Sequence, residues 1–585
     1  MFFRKILRKI KLKIYDQKNI FWKTSEKYSF LASLLVLASI TMNFGFDEIS
    51  LYHTSNILIL MSSVFYSLVY LFKSILNINI LLFLKRNILY TIIITFIFLD
   101  TLSVIFNYNI LDYSIGNRYL IFLFINLYFF FNSLKKIIKN SSFINNKQIS
   151  PTKLLILSFL LLITLGTILL MMPEAASSNG AISFLDALFT SISATCVTGL
   201  TVIDTASAFS EKGHMIIMGL IQLGGINIIA FATFFALFSR SSGGIKQQQI
   251  ISENFNSKTL LSGKNLLKKV LFFSIFIELI GAFFILISTN FGTNENQIFD
   301  SIFHSVSAFN NAGFSISNHF QNSINLKIIL SLLIFLGAIG FPTLSDLSKN
   351  LSSYKKIKWA KLHLTTRISL VTSFLLIIFG ALAFMFLENN NEMGGSQIEK
   401  VVNSIFHSTS ARTAGFSSVD FSNFDGFATI IIFIFLMFIG ASPGSTGGGI
   451  KTNTFTLLFY SALATIKGKK NIEIGSRRIS SSLIHKSYVI FLFSLLIIFF
   501  GWVLLLITEK NINNPINLLF EQVSAFSTVG LSVGETTNNL SFFGKIIIMM
   551  TMFLGRIGTL LMAFSLMQKK RQSNYQYPEA HLMVG

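Results

Sequence analysis

The sequence predicts an all-α polytopic membrane protein: four parallel helix–re-entrant pore loop–helix repeats around a pseudo-fourfold pore, preceded by about four extra transmembrane helices. Three observations predict it. Of the 585 residues, 52% are hydrophobic and only 12% charged, about half the charged share of soluble domains. Apolar stretches of about 20 residues, the length a bilayer requires, recur along the chain. A short polar motif ending in glycine also returns four times.

The apolar stretches come in two sets. Candidate helices lie near 29–46, 57–72, 88–108 and 119–134, before Pro151. Eight stronger ones follow near 153–172, 214–238, 268–289, 326–345, 366–387, 427–460, 486–507 and 543–566. With all twelve counted, one side of the membrane receives every basic stretch: Lys85/Arg86, Lys135/Lys136/Lys139, Arg240 with Lys246, Lys349 to Lys361, Lys467 to Arg478 and Lys569 to Arg571. Cytoplasmic loops carry such an excess, so both termini are expected inside. The formal net charge of +22 therefore reports topology and gives no reason to expect a nucleic acid. Met1–Lys27, with Arg4, Lys5, Arg8, Lys9, Lys11 and Lys13, reads either as an amphipathic helix on anionic lipid or as a solvated flank. No cleavable signal peptide is expected, because Ser29–Phe46 is already long enough to span. Cys196 is the single cysteine, which excludes an intrachain disulfide and a cysteine metal site.

Within the second set, alternate links between helices carry the recurring motif. They read Thr190-Ser-Ile-Ser-Ala-Thr-Cys-Val-Thr-Gly199-Leu-Thr, His304-Ser-Val-Ser-Ala-Phe-Asn-Asn-Ala-Gly313-Phe-Ser, His407-Ser-Thr-Ser-Ala-Arg-Thr-Ala-Gly415-Phe-Ser and Glu521-Gln-Val-Ser-Ala-Phe-Ser-Thr-Val-Gly530-Leu-Ser. The glycines stand about 114, 102 and 115 residues apart, a period that defines an internal repeat. The organisation expected is 1–150 for the basic segment and extra helices, then pore repeats at 151–246, 247–361, 362–478 and 479–568, and a cytoplasmic tail at 569–585. Each repeat crosses twice, so all four share one orientation and can surround an axis normal to the membrane. An inverted-repeat carrier would need an odd number of crossings.

Non-helical backbone at membrane depth is tolerated where it is buried in protein or lines a watery cavity. Glycine lets such a turn present carbonyl oxygens without a Cβ clash, and rings of carbonyls can replace the hydration shell of a monovalent cation. Thr198, Thr201, Asn311, Ser315, Thr413, Ser417, Thr528 and Ser532 flank the turns with further oxygens or hydrogen bonds. None of the four turns holds Asp or Glu, which disfavours a divalent site. Four tight packing turns are the plain alternative.

These residues resemble the Trk/Ktr/HKT superfamily of potassium transporters, and most closely the Ktr-type membrane subunit, over about 150–585. The resemblance rests on the four turns, on Gly444-Ser-Thr-Gly-Gly-Gly-Ile-Lys451-Thr, and on Tyr577-Pro578-Glu579. It implies a potassium filter of backbone carbonyls at Val197, Thr198, Gly199, Asn311, Ala312, Gly313, Thr413, Ala414, Gly415, Thr528, Val529 and Gly530. Sodium-favouring relatives often carry serine at the first glycine. It further implies an intramembrane gate loop at Gly444, Ser445, Thr446, Gly447, Gly448, Gly449 and Lys451. Symport, a homodimer in a bacterial inner membrane and a cytoplasmic ring of nucleotide-binding regulatory proteins are also expected. Potassium and membrane lipid are then the partners, no cofactor is needed, and sodium dependence stays open. The four helices before residue 150 are a departure from the family core.

Four further positions bear on mechanism. Arg556, expected near the middle of the last helix, is costly in a membrane. It is read either as a positive barrier to cations, its role in the family, or as half of a local pair with a carboxylate. Arg412 is expected to brace carbonyls or a carboxylate such as Glu521 behind the third turn, in preference to touching the ion. Pro443 and the glycines of Gly440–Gly449 must break the sixth helix of the second set. A phosphate loop there is excluded by Ile450 and the apolar flanks. Glu278 reads as a hydrogen-bonded or protonated structural group in preference to a proton relay, and His304 and His407 as anchors of the short helices in preference to metal ligands. A sodium or mixed sodium/potassium pathway of the same fold is the nearest rival. A membrane-embedded enzyme would need clustered acids, histidines or a metal site that the sequence lacks.

Overall fold

The structure, a computed structural model, describes most of 24–75, scattered positions between 88 and 128, and then 151–177, 182–238, 263–289, 295–317, 323–351, 359–388, 396–419, 421, 426–469, 471–475, 477–509, 514–534 and 537–558. The N-terminal basic segment, most of the spans expected near 88–108 and 119–134, and the tail at 569–585 with Tyr577-Pro578-Glu579 lie outside the described residues.

The chain divides into two compact units, one of residues 1–149 with Met172–Ala175, the other of Ser150–Met171 with 176–585. In the first, α1 (Ile49–Ile75) holds a stretch, Ile57–Ser74, long and apolar enough to cross a membrane. Its Ser62, Ser63 and Ser67 donate back to the carbonyls of Ile59, Leu60 and Ser63 at 2.7–2.8 Å, which satisfies their hydroxyls without leaving the helix.

The second unit holds the four sequence repeats. The first comprises α2 (Pro151–Leu170), α3 (Phe184–Cys196) and α4 (Glu211–Phe238). The second comprises α5 (Gly263–Ser288), α6 (Glu295–Phe309) and α7 (Ile324–Ala338). After α8 (Phe341–Leu351) come α9 (Leu364–Leu387), α10 (Gln397–Thr413) and α11 (Phe427–Phe438). After α12 (Thr452–Ile466) come α13 (Ser481–Thr508), α14 (Pro515–Ser527) and α15 (Phe542–Ile557). A two-residue antiparallel ribbon, Glu473–Ile474 with Arg477–Arg478, interrupts the helices between α12 and α13.

Local chemistry starts each short helix. Ser183 caps α3 by accepting from the Asp186 N–H, Ser396 and Glu399 form a capping box on α10, and Pro515 opens α14. The short helices sit inside a ring of longer ones. Each second helix packs on the short helix of the next repeat: α4 on α6, α7 on α10, α11 on α14, and α15 back on α3. Four apolar clusters seal the four junctions. Leu170 and Ile217 meet Phe303 and Phe314; Ile285 and Leu330 meet Phe406 and Phe416; Phe384 and Phe433 meet Phe520 and Val523; Leu505 and Met552 meet Phe189 and Leu200.

Polar staples reinforce two junctions. Lys327 Nζ donates to Asn403 Oδ1 at 2.7 Å, and Lys545 Nζ pairs with Asp186 Oδ1 at 3.0 Å. The outer surface is apolar, with Phe272, Phe276 and Phe283 on α5, Phe374, Phe379 and Phe386 on α9, and Phe493, Phe499 and Phe500 on α13 exposed. The short helices meanwhile bury Ser191, Ser193, Ser305, Ser307, Ser408 and Ser410. Apolar outside and polar inside is the arrangement of an integral membrane protein. Among the described residues four helices are long and apolar enough to span, and the bent pair α7–α8 is a fifth if counted as one.

Three expected helices differ. The span expected at 326–345 breaks after Ala338, and α8 leaves at 97°. Gly340 adopts φ +84° there, Pro342 follows, and the break docks on a distant loop through Phe341 N–H to Gly444 O at 3.0 Å and Ser442 N–H to Ala338 O at 2.9 Å. The span at 427–460 is divided into α11 and α12 by 439–451, where Pro443 and the glycines stand. The last helix ends at Ile557 because Gly558 turns to φ +91°. Arg556 therefore lies in the last turn of α15, a correction to the expected mid-helix position.

Candidate functional site

Four turns at the C-termini of α3, α6, α10 and α14 converge. Val197, Asn311 and Thr528 adopt φ of 58°, 59° and 50°, a left-handed conformation that asparagine tolerates and that costs the β-branched Val197 and Thr528 roughly 1–3 kcal/mol each. The strain is held by paired backbone bonds of the Schellman type: Val197 and Thr198 N–H to the Ala194 and Ser193 carbonyls, with Asn311/Ala312 and Thr528/Val529 doing the same. The third turn is one residue shorter. Ala414 stays right-handed, and its N–H and that of Gly415 share the Ser410 carbonyl.

The glycines abut in a cycle. A Cβ on Gly199 would lie 2.3 Å from Ala312 O, on Gly313 2.3 Å from Ala414 O, on Gly415 2.0 Å from Val529 O, and on Gly530 2.2 Å from Thr198 O. Each glycine is thus required by the carbonyl before the next glycine, and the fourth closes on the first. The motif serines brace the turns. Ser193 and Ser524 Oγ accept from the Gly199 and Gly530 N–H at 3.1 Å, while Ser307 and Ser410 donate to the Phe314 and Phe416 carbonyls at 2.8 and 2.5 Å. The hydroxyls of Thr198, Thr413 and Thr528 are buried with no hydrogen-bond partner among the described residues.

In three repeats the leading motif residue reaches past the glycine, whereas Thr190 of the first donates back to Asp186 O at 2.8 Å. His304 Nε2 is hydrogen-bonded to Ser315 Oγ and His407 Nε2 to Ser418 Oγ, both at 3.0 Å. Glu521 accepts from Ser532 Oγ, and from Thr537 Oγ1 at 2.8 Å. Arg412 does not meet Glu521, contrary to one expectation. Its guanidinium donates to Ser373 O inside α9 and to Gly440 O, which the break after α11 leaves free, both at 3.2 Å.

Beneath the turns runs the segment 439–451. Phe438 and Ala441 carbonyls accept from the Ile450 and Thr452 N–H groups at 3.2 Å, which closes the segment into a loop. Its residues touch three turns. Thr446 Oγ1 is hydrogen-bonded to the Asn311 amide at 3.0 Å, a Cβ on Gly447 would meet Thr413 Cγ2 at 3.1 Å, and one on Gly448 would meet Thr528 Oγ1 at 2.3 Å. Two cations hold adjacent loop carbonyls. Lys451 Nζ donates to Gly447 O at 2.6 Å, and Arg556 donates to Thr446 O and, at 2.9 Å, to Gly224 O. Arg556 is 3% exposed and its partners are backbone carbonyls, so the local carboxylate pair is set aside. Ser445 closes the tight turn by donating to Ser442 O at 2.6 Å.

Sequence reasoning missed a second set of glycines. A Cβ on Gly224, Gly337 or Gly555 would come within 1.8–2.0 Å of the Thr195, Phe309 or Phe526 carbonyl. These glycines let the second helices approach the ends of the short ones. Their signal was available, since Gly224, Gly337, Gly440 and Gly555 recur with the same period as the turns. Gly166, Gly281, Gly380 and Gly501 repeat likewise against Ser191, Ser305, Ser408 and Gln522.

A fourfold set of glycine turns inside a ring of apolar helices defines a membrane transport protein. Residues 117–576 match the TrkH family, described as cation transport protein, and the chain belongs to that family, which consists of ion transporters and not enzymes. It is 38% identical over 448 residues to Ktr system potassium uptake protein B of Bacillus subtilis (strain 168), covering 75% of this chain and 97% of that one. It is 36% identical over 449 residues to Ktr system potassium uptake protein D of the same organism, covering 75% and 98%. The fold is similar to the crystal structure of the potassium transporter TrkH from Vibrio parahaemolyticus, with a TM-score of 0.58 at 18% identity over 77% of this chain and 91% of that one.

Proposed function

We propose that this chain is the channel-like subunit of a potassium uptake system, with its filter formed by the carbonyls of the four turns. The cyclic approach of Gly199, Gly313, Gly415 and Gly530 to the carbonyls before the next glycine carries the reading. Each repeat then contributes one short run of backbone, 197–199, 311–313, 413–415 and 528–530, to rings that strip water from a monovalent cation. The turns hold no carboxylate, and the orphaned Thr198, Thr413 and Thr528 hydroxyls are suited to ions or water in a pore.

The loop from Gly444 to Lys451 is the gate. It touches residues of the second, third and fourth repeats, and Arg556 of the fourth, which binds it, also holds Gly224 of the first, so the loop is set beneath the turns where an axial path would run. Ions pass when it leaves, and Arg556 raises the barrier twice, as a latch on Thr446 and as a positive charge. Relatives named as Ktr system potassium uptake proteins support potassium as cargo; a dimeric assembly and a cytoplasmic nucleotide-binding ring as the partner that moves the loop belong to the same proposal. The reading puts the chain in a bacterial inner membrane with both termini cytoplasmic, and includes symport, with sodium or protons.

The test is Gly199→Ser with cation flux measured in proteoliposomes for potassium and sodium alone. The added Cβ must displace the Ala312 carbonyl, so the potassium-to-sodium ratio is expected to fall. A folded variant with the parent ratio would remove Gly199 from the filter. A parent that moves both ions equally would favour the mixed pathway.

A further inference from the structure

The repeats superpose one position on another, and two polar residues break the pattern where they meet. Three residues before Gly166, Gly380 and Gly501 stand Ile163, Ile377 and Ile498; three before Gly281 stands Glu278. The equivalence holds in space, because Ile163, Glu278 and Ile377 each accept at their carbonyl the hydroxyl of Ser191, Ser305 or Ser408, at 2.8, 2.6 and 2.8 Å. Two residues before Gly337, Gly440 and Gly555 stand Phe335, Phe438 and Phe553; two before Gly224 stands Gln222. Glu278 of α5 and Gln222 of α4 thus replace apolar residues of two neighbouring repeats, and they touch at 3.0 Å.

Both converge on one side chain. Asn310 Nδ2 donates to Gln222 Oε1 at 2.7 Å and to Glu278 Oε1 at 3.1 Å, and Ser274 Oγ donates to the same carboxyl oxygen at 2.7 Å. From the far side Gly225 closes on the amide, where a Cβ would sit 2.1 Å from Asn310 Oδ1. No cation is paired with Glu278 among the described residues, so Asn310, Gln222 and Ser274 supply its hydrogen bonds. Asn310 directly precedes Asn311, the left-handed residue of the second turn, whose own amide faces the opposite way, to Thr446 of the loop. The two consecutive amides therefore tie the second turn to the protein body on one side and to the loop on the other.

We infer that Glu278 and Gln222 are a positioning pair that sets the geometry of the second turn through Asn310, and with it the discrimination between potassium and sodium. The inference rests on the filter reading. An isoleucine and a phenylalanine, as in the other repeats, would pack these helices and leave the Asn310 amide only its local bond to the Val306 carbonyl at 3.0 Å, with nothing tying it to α4 and α5. Neither residue of the pair touches the ion.

The experiment compares Glu278→Ile, Glu278→Gln and Gln222→Leu with Gly313→Ser in proteoliposomes, recording folded yield, total flux and the potassium-to-sodium ratio. Glu278→Ile is expected to lower the ratio by about three- to tenfold, the effect of losing one buried hydrogen bond. Gln222→Leu is expected to lower it less, and Glu278→Gln to restore most of it, because an amide oxygen still accepts from Asn310 and Ser274. If Gly313→Ser shifts the ratio while Glu278→Ile and Gln222→Leu keep the parent value, the pair is structural only and the filter stands. If none shifts it, the filter reading fails as well. Should Glu278→Ile not fold, Gln222→Leu against Glu278→Gln decides by the same ratio.

Discussion

Replacing Arg556 by glutamine should speed transport, and the structure bounds by how much. The guanidinium spans Thr446 O on the loop and Gly224 O on α4. When the loop leaves, only the Thr446 bond is lost, so only that bond enters the difference between closed and open. A hydrogen bond from a charged group contributes about 1.5–3 kcal/mol, and every 1.4 kcal/mol or so is tenfold. The opening equilibrium should shift by roughly ten- to a hundredfold, less whatever Lys451 retains through Gly447. The lost charge acts in the same direction: a cation passing at about 4–8 Å is repelled by about 2–4 kcal/mol at an effective dielectric near 20. No carboxylate is left unpaired, so folded yield should hold. The assay is potassium uptake velocity per folded molecule, beside surface expression, for Arg556→Gln and Arg556→Lys. Lysine keeps the charge but cannot fork to two carbonyls, so a latch gives it an intermediate velocity and a purely electrostatic barrier leaves it at the parent value. A well-expressed Arg556→Gln no faster than the parent would refute both.

Deleting Gly447–Gly449 removes the Lys451 anchor and the contacts under Thr413 and Thr528, so flux should rise and control by a regulatory partner weaken; a folded variant with parent flux would move the gate elsewhere. Gly224→Ala places a Cβ 2.0 Å from Thr195 O and should destabilise by about 1–3 kcal/mol or more. Gly219→Ala, in the same helix with nothing within 4 Å, should be neutral or stabilise by up to about 1 kcal/mol. Thermal midpoints in detergent separate them, and equal midpoints would deny that close approach explains Gly224.

What could be read in advance depended on whether side chains or backbone made the contact. The glycine turns and the broken helix at Gly440–Gly449 were legible because glycine and proline act locally. The break at Gly340 was not, because its partner is a carbonyl of Gly444, about a hundred residues on, and the apolar run through 326–345 hides it. Arg556 and Arg412 illustrate the same limit. Charge left carbonyls or a carboxylate such as Glu521 open for Arg412, and a barrier or a carboxylate pair open for Arg556; both guanidiniums bond backbone oxygens, which every residue type carries and which the sequence therefore does not single out. The helix-approach glycines were readable as a period, and were obscured by the stronger turn motif.

The departures from fourfold regularity explain how one repeated unit can carry unlike duties. Three of four first helices have isoleucine where the second has Glu278, and three of four second helices have phenylalanine where the first has Gln222. After the helix-approach glycines stand Gly225, Ala338 and Ala441, and then Arg556. The third turn alone lacks a residue and alone carries arginine, whose guanidinium reaches Gly440 at the start of the loop. A regular ring would be satisfied by apolar or small residues at each place, so every polar exception is a local cost that packing does not require. The exceptions all hold either a turn or the loop: Asn310 by Glu278 and Gln222, Gly440 by Arg412, Thr446 by Arg556. A symmetric scaffold thus supplies the ring, and its asymmetric residues supply the means to hold one turn and one loop differently from the rest.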